Sequence, residues 1–499
     1  MVNERSNSSW QKDFLLLFVL IFLFFCIGLG VRPYITPSEA RYIEIPRQML
    51  ATGDFITPHI NAVQYFEKPP LFYWMQAFFL NLGNNEFMGR MATTLVVTLT
   101  CLVTYATGRL LYNRMTGLLA AASLATSVMG YCLSRVAMLD APVTLFITCT
   151  ISSFIFAQVT RRKKFYYFMY ASAALAVMTK GLIGIVIPGL VIGSWIIFTK
   201  NWKILKEARL FTGTLLFLAI AAPWHILMAM EHPQFLDFYF IHEHFNRFLS
   251  NEHRRTAPWW FFIVVTLVGA IPWIFFVIPH LMRNLGHQIK SIVISKDSHF
   301  HKDNKLFLII WILLPLLFFS SSNSKLIPYI FPIFPPIFIL IGHRLANIWA
   351  IRKDLIISAM GIMVAIFISA NYIAPKFDER SIKPLTDLLK PQLKDDDIVV
   401  SYNSYFQDLP VYLDRNVIIA GWTGELHFGT KYTPNAKDWM IDLDDFWEKC
   451  AAAKTSVYVF IKLEDYKNIK ENMDCKLHEL SQYGKTLLLK KEIEQYSVN

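Results

Sequence analysis

"FLLLFVLIFLFFCIGLGV" (residues 14–31) runs for eighteen residues without a charge. A helix of about 20 apolar residues is what crosses the hydrocarbon core of a bilayer. Comparable runs recur to about residue 373, and of 499 residues 54% are hydrophobic, 15% aromatic and only 17% charged. Such a chain reads as a polytopic α-helical membrane protein. The polar start "MVNERSNSSWQKD" precedes the first run, and no small-residue cleavage site follows it. That run is therefore expected to be a retained span, not a removed signal peptide.

In a soluble protein a net charge of +11 would point to nucleic acid. Here "RRKK" (161–164), "KNWKILKEAR" (200–209) and "RLANIWAIRK" (344–353) all lie between apolar runs, as cytoplasmic anchors do. No nucleic-acid partner is expected. Spans are expected near 14–31, 91–109, 116–133, 141–160, 166–179, 181–199, 210–228, 259–279, 306–320, 326–343 and 355–373. With a cytoplasmic N-terminus, the basic loops at 109–114, 161–164, 200–209, 280–305 and 344–353 then all fall inside. The outer side receives 32–90, 134–140, the Lys180-Gly181 turn, 229–258, 321–325 and the tail from 374. On this threading Glu39, Glu67, Lys68, Asp140, Lys180, His244, Arg247 and Lys325 share one membrane face. Ionisable groups at that depth are costly unless paired or hydrated, so together they predict a polar outer cavity.

Each motif also has a structural explanation. In "TPSEARYIEIPRQML" (36–50), Thr36, Pro37 and Glu39 fit a capping box that opens a helix over 37–51. That helix would bend or break at Pro46, end at Gly53, and carry Tyr42, Ile45 and Met49 along the membrane surface. "QYFEKPPLFYW" (64–74) sets Glu67 and Lys68 among aromatics that include Tyr65. An interfacial belt with a snorkelling Lys68 explains the rings but sits badly with Glu67. Asp140 in "SRVAMLDAPVTLF" (134–146) is a reasonable helix N-cap. "MTKGLIG" (178–184) and "SSNSKLIPYIFPIFPP" (321–336) each place a lysine at an outer turn, the second with Tyr329 ahead of three prolines. "IHEHFNRFLSNEHRRTAPWW" (241–260) adds His242, His244 and Arg247; a histidine pair two apart is not in itself a metal signature.

The tail changes character. "DIVVSYN", "NVIIAG", "SVYVFIKL" and "KTLLLKKE" are strand-like, while "YFQDLPVYL" and "LEDYKNIKENM" are helix-like, which predicts a small α/β domain. Cys26, Cys101, Cys132 and Cys149 lie in or beside spans and behave as small apolar groups. Cys450 and Cys475 would pair in an exported tail or stay free. Neither GxxxxGK[ST] nor GxGxxG occurs, so no nucleotide cofactor is expected.

Taken in order, "SEARYIEIPRQMLATGDFITPHINAVQYFEKPPLFYW", "RVAMLDAP", "TKG", "EHFNRF…PWW" and "SNSKLIPYIFPIFPP" resemble the aminoarabinose transferase family of bacterial membrane glycosyltransferases. The resemblance implies the C-type glycosyltransferase fold shared with protein O-mannosyltransferases, of about 11–13 spans. It places residues 1–375 in a transmembrane domain, with periplasmic juxtamembrane helices within 32–90, and residues 376–499 in a periplasmic domain. It also implies an undecaprenyl-phosphate-linked sugar donor, lipid A as the usual acceptor, a monomer in the inner membrane, and an active site on the periplasmic side. Where the family pattern begins Asp-Glu, this chain has Ser38-Glu39, and serine is no general base. Asp140 and Glu39 are then the expected catalytic carboxylates. Lys68, Arg247, Lys325, Arg41 and Lys180 are expected to hold the donor phosphate, and Tyr42, Tyr65 and Tyr329 to line the substrate. The family also implies a divalent cation, zinc or magnesium, shared by Glu67 and His244. Two other readings remain: a transferase of the same fold acting on protein or an envelope polymer, and a transporter that moves a lipid-linked sugar without chemistry.

Overall fold

The computed structural model describes residues 2–239, 257–279, 300–469 and 475–491. Packing divides the chain into two units. The first comprises Met1–Leu29, Glu67–Phe72 and Arg90–Asn371; the second comprises Gly30–Phe66, Tyr73–Gly89 and Tyr372–Asn499.

The first unit is helical. Among the described residues six segments are long and apolar enough to span a bilayer: Ser9–Cys26, Glu86–Leu111, Asp140–Thr160, Leu210–Glu231, Asn304–Ser321 and Ile327–Phe377. The other expected spans are shorter or broken. Lys164–Lys180 and Ile183–Thr199 are 17-residue helices. The run 116–133 divides into Arg114–Ala125 and Val128–Leu133, because Ser127 Oγ caps the second piece at the Gly130 N–H, 3.1 Å away. The run 259–279 divides at Pro272 into Phe261–Gly269 and Trp273–Phe276. A proline without an N–H, clashing with the preceding turn, accounts for that second break.

In lipid every backbone polar group must be bonded within the protein, and buried hydroxyls face the same demand. In Glu86–Leu111, Thr98, Thr100, Thr104 and Thr107 each return their hydroxyl to the carbonyl four residues back, at 2.8 Å. Close helix packing depends on small residues: a Cβ on Gly342 would lie 2.6 Å from Ala120 N and Thr116 O. Leu15, Leu16, Leu20 and Leu23 remain exposed on the first helix, the surface that lipid covers. The basic loop at 109–114 is paired within the chain. Asp13 takes Arg109 at 2.7 Å, Arg114 at 2.7 Å and the Tyr105 hydroxyl at 2.8 Å.

The second unit is α/β. Strands β1 (His59–Ile60) and β2 (Val63–Gln64) form a small antiparallel hairpin. The tail carries β3 (Ile398–Tyr402), β4 (Ile418–Ala420), β5 (Met440–Ile441), β6 (Val457–Lys462), β7 (Leu477–Tyr483) and β8 (Thr486–Lys491). They form one sheet in the order β5-β4-β3-β6-β8-β7, with the first four parallel and β8 antiparallel to both neighbours. All four strand-like runs are strands. β5 and β7 were not anticipated, the first being two residues long and the second having a mixed polar pattern. The buried parallel strands Ile398–Tyr402 and Val457–Lys462 read as continuous apolar runs, as sheets covered on both faces require. Cys450 and Cys475 are joined as a disulfide within this core.

The expected helix over 37–51 begins at Arg41 instead and runs to Thr52, continuous through Pro46 and closed by Gly53 at φ 74°. Its N-cap is Ala40, with no side-chain cap, so the capping box does not form. The segments 30–66 and 73–89 pack with the tail in the second unit. The reason lies in the buried polar face of Arg41–Thr52. Glu44 takes Arg47 at 2.7 and 2.9 Å and Gln48 at 2.8 Å, and Arg47 and Gln48 continue to Asn416. Asn61 exchanges two hydrogen bonds with the Val417 backbone. Burial works against the Arg47 charge, but Glu44 together with Asp414 and Tyr405 more than offsets it, and its proton is held more tightly than usual.

Candidate active site

In the first unit three sequence-predicted residues meet. Asp140 opens the helix Asp140–Thr160, Lys180 closes the helix Lys164–Lys180, and Tyr329 sits in the 3-10 turn Ile327–Ile333. Lys180 Nζ donates to Asp140 Oδ1 at 2.5 Å and stands 4.3 Å above the Tyr329 ring centroid. Each charge also suits its own helix: an anion at an N-terminus and a cation at a C-terminus gain about 0.3–1 kcal/mol apiece from the macrodipole. Pairing, helix ends and the aromatic face together explain how two ionisable groups persist at the ends of apolar helices. Asp140 is not the N-cap itself; that place falls to Leu139.

The other two candidate lysines of this unit are tied to the backbone. Lys68 Nζ donates to the Glu67 carbonyl at 2.8 Å, and the buried Lys325 Nζ donates to the Ser322 carbonyl at 2.6 Å. At Lys325 the carbonyl tether holds the ammonium in place without neutralising it, so it can still attract an anion. Glu67 is buried. Among the described residues no three His, Cys, Asp or Glu side chains group as metal ligands. Arg247 and His244 lie outside the described residues.

The second unit holds the remaining candidates. Glu39 is fully buried, and its Oε2 accepts from Arg32 and from the Ile35 N–H, each at 3.1 Å. It acts as a clamp on the turn that precedes Arg41–Thr52. Ser38 beside it is exposed. Arg41 forms an ion pair with Glu425 and donates to the Tyr65 hydroxyl at 3.4 Å, while Tyr42 stacks on Tyr73. The reading of the sequence missed Arg32 and Glu425, the partners that fix Glu39 and Arg41. Glu425 lies in the tail with no local spacing to flag it, whereas Arg32 directly follows the first apolar run.

Residues 67–227 match the family model described as dolichyl-phosphate-mannose-protein mannosyltransferase, and residues 385–491 match the aminoarabinose transferase C-terminal domain. The second match, on the tail, decides between relatives of this fold. The chain belongs to the aminoarabinose transferase family. An undecaprenyl phosphate-α-4-amino-4-deoxy-L-arabinose arabinosyl transferase from Erwinia tasmaniensis is 34% identical over 338 residues, covering 66% of this chain and 59% of that protein. The enzyme of the same name from Enterobacter sp. is 31% identical over 357 residues, covering 70% and 62%. This chain thus spans about three fifths of the length of these curated relatives. In fold it is similar to ArnT from Cupriavidus metallidurans, solved with undecaprenyl phosphate bound: TM-score 0.80, 22% identity, 95% of this chain and 97% of that one. The expected polytopic C-type glycosyltransferase fold with a small α/β domain is therefore the fold of this aminoarabinose transferase family member.

Proposed function

We propose that this protein is an inner-membrane glycosyltransferase. It would move 4-amino-4-deoxy-L-arabinose, or a closely similar amino sugar, from undecaprenyl phosphate to lipid A on the periplasmic side. The names of its relatives supply the substrate class, and the Asp140–Lys180 pair carries the mechanism.

The donor is a phosphodiester bearing one negative charge. As the acceptor oxygen bonds to the anomeric carbon, the sugar–phosphate bond breaks and undecaprenyl phosphate departs with a second charge. A cation near that phosphate binds the leaving group more strongly than the donor, and such differential binding lowers the barrier. Lys180, Lys68, Lys325 and Arg247 take that role. Lys180 moves from Asp140 toward the phosphate or bridges both, which frees a carboxylate oxygen on Asp140. Asp140 accepts the proton of a hydroxyl acceptor; with an ionised lipid A phosphate it orients the nucleophile instead. Direct displacement inverts the anomeric carbon. Tyr329, beneath the Lys180 ammonium, contacts the substrate or holds the lysine that does, while Glu39, clamped by Arg32, keeps the turn before Arg41–Thr52 in place. The energy of transfer is stored in the donor, so no nucleotide is consumed.

Mass spectrometry of lipid A and total glycoproteins from a deletion strain, with and without plasmid-borne protein, tests this. A pentosamine-sized increment on lipid A that vanishes on deletion and returns with the gene is expected. Unchanged lipid A alongside a lost glycoprotein increment would overturn the proposed acceptor.

A further inference from the structure

A separate cavity of about 580 Å³ lies in the second unit, lined by Arg32, Ala374, Phe377, Asp378, Glu379, Arg380, Lys485 and Thr486. That volume falls within the range of about 300–1,000 Å³ seen for small-molecule sites. Its walls come from chain that leaves the membrane twice. Arg32 directly follows the first apolar run, and the 3-10 turn Ala374–Phe377 directly follows the helix ending at Ile373. Tyr372, Ile373 and Phe377 are exposed, the last by 81%, an apolar rim of the kind that seats itself among lipid headgroups.

The charges on the walls are mostly matched. Arg32 is held by Glu39 at 3.1 Å, and Arg380 takes both oxygens of Asp378 at 2.7 Å. Left over are one cation, Lys485, and one anion, Glu379, and no ion pair joins them among the described residues. Both are exposed, and the Gly484 turn brings them near each other: a Cβ on Gly484 would lie 3.0 Å from Glu379 Oε2. A wall that offers one charge of each sign beside an apolar rim suits a zwitterion with a lipid tail.

We infer that this cavity seats the headgroup of a phosphoethanolamine lipid, its phosphate on Lys485 and the outer edge of Arg380, its ammonium on Glu379. The inference stands apart from the transfer reaction and uses none of its residues as ligands except Arg32 as a wall.

Native mass spectrometry of the full chain, released from nanodiscs of dioleoyl phosphatidylethanolamine, phosphatidylcholine or phosphatidylglycerol, tests it. Phosphatidylethanolamine should be retained above the other two. Lys485→Ala and Glu379→Gln should each weaken retention about tenfold, the worth of one charge-assisted hydrogen bond. Excess inorganic phosphate should not displace the lipid. Equal retention of phosphatidylcholine, unchanged retention by both variants, or displacement by free phosphate would each overturn the assignment.

Discussion

Lys180 Nζ and Asp140 Oδ1 stand 2.5 Å apart, joining the end of one apolar helix to the start of another. Both side chains are largely buried, at 18% and 9% exposure, so each is the counter-charge that makes the other tolerable. Removing one partner of a buried pair leaves an uncompensated charge and costs up to about 3–5 kcal/mol, less here for the residual exposure of Lys180. Asp140→Ala and Lys180→Ala should each lower the thermal unfolding midpoint, and the double variant should recover part of the loss. A double variant that loses the sum of the two would show that the pair does not couple.

Turnover should separate from stability. Lys180→Ala is expected to cut the rate by about 10²-fold or more, as loss of one preorganised stabilising contact does elsewhere. Lys68→Ala should raise the KM for the lipid donor more than it lowers kcat. Initial rates against donor concentration in proteoliposomes measure both, and unchanged donor saturation in Lys68→Ala would remove that residue from the phosphate site.

Glu39 gives the opposite expectation. Its carboxylate is enclosed by Arg32 and the Ile35 N–H. Glu39→Gln keeps an acceptor there but loses the charge, so it should lower stability while reducing the rate per folded molecule less than Asp140→Asn does. Rates normalised to the folded fraction decide, and equal loss from both variants would return Glu39 to the chemistry.

The tail carries a pH signature. Asp408 is fully buried, and burial pushes its carboxyl above the usual range, although Ser381 Oγ and the Ile382 N–H donate to it at 2.8 and 2.9 Å. Between the unfolded value near 3.9 and the raised folded value, the folded state binds more protons than the unfolded one. Stability therefore falls as pH rises through that window. Asp408→Asn should flatten the slope, and a pH series of unfolding midpoints checks it; an unaltered slope would contradict the assignment.

Cys450 and Cys475 close a loop of sequence separation 25. Cross-links of such length stabilise by about 3 kcal/mol in the chain-entropy account. Denatured, unreduced protein should label at Cys26, Cys101, Cys132 and Cys149 alone. Labelling of Cys450 and Cys475 as well would place the tail on the reducing side of the membrane.

The membrane-spanning helices were legible from residues 14 to 373, because apolar length is a one-dimensional signal. Asp140, Lys180 and Tyr329 were chosen singly, and the structure joins them. What the sequence could not convey is pairing over long separations. The ties of Arg41 to Glu425 and of Asn61 to Val417 draw residues 30–66 into the tail's unit, and no local pattern announces them. Helix starts were similarly misread: the Thr36–Glu39 spacing fits a capping box, yet Glu39 is taken by Arg32 and the Ile35 N–H, and the helix waits until Arg41.

The most direct trial is reconstitution. Purified protein would be incubated with undecaprenyl-phosphate-linked 4-amino-4-deoxy-L-arabinose and lipid A, and the lipid A product weighed by mass spectrometry. A pentosamine-sized gain with the wild type and none with Asp140→Asn, at equal folded protein, is the predicted result. A gain of the same size and rate from Asp140→Asn, or donor carried across the vesicle membrane with no gain at all, would contradict it.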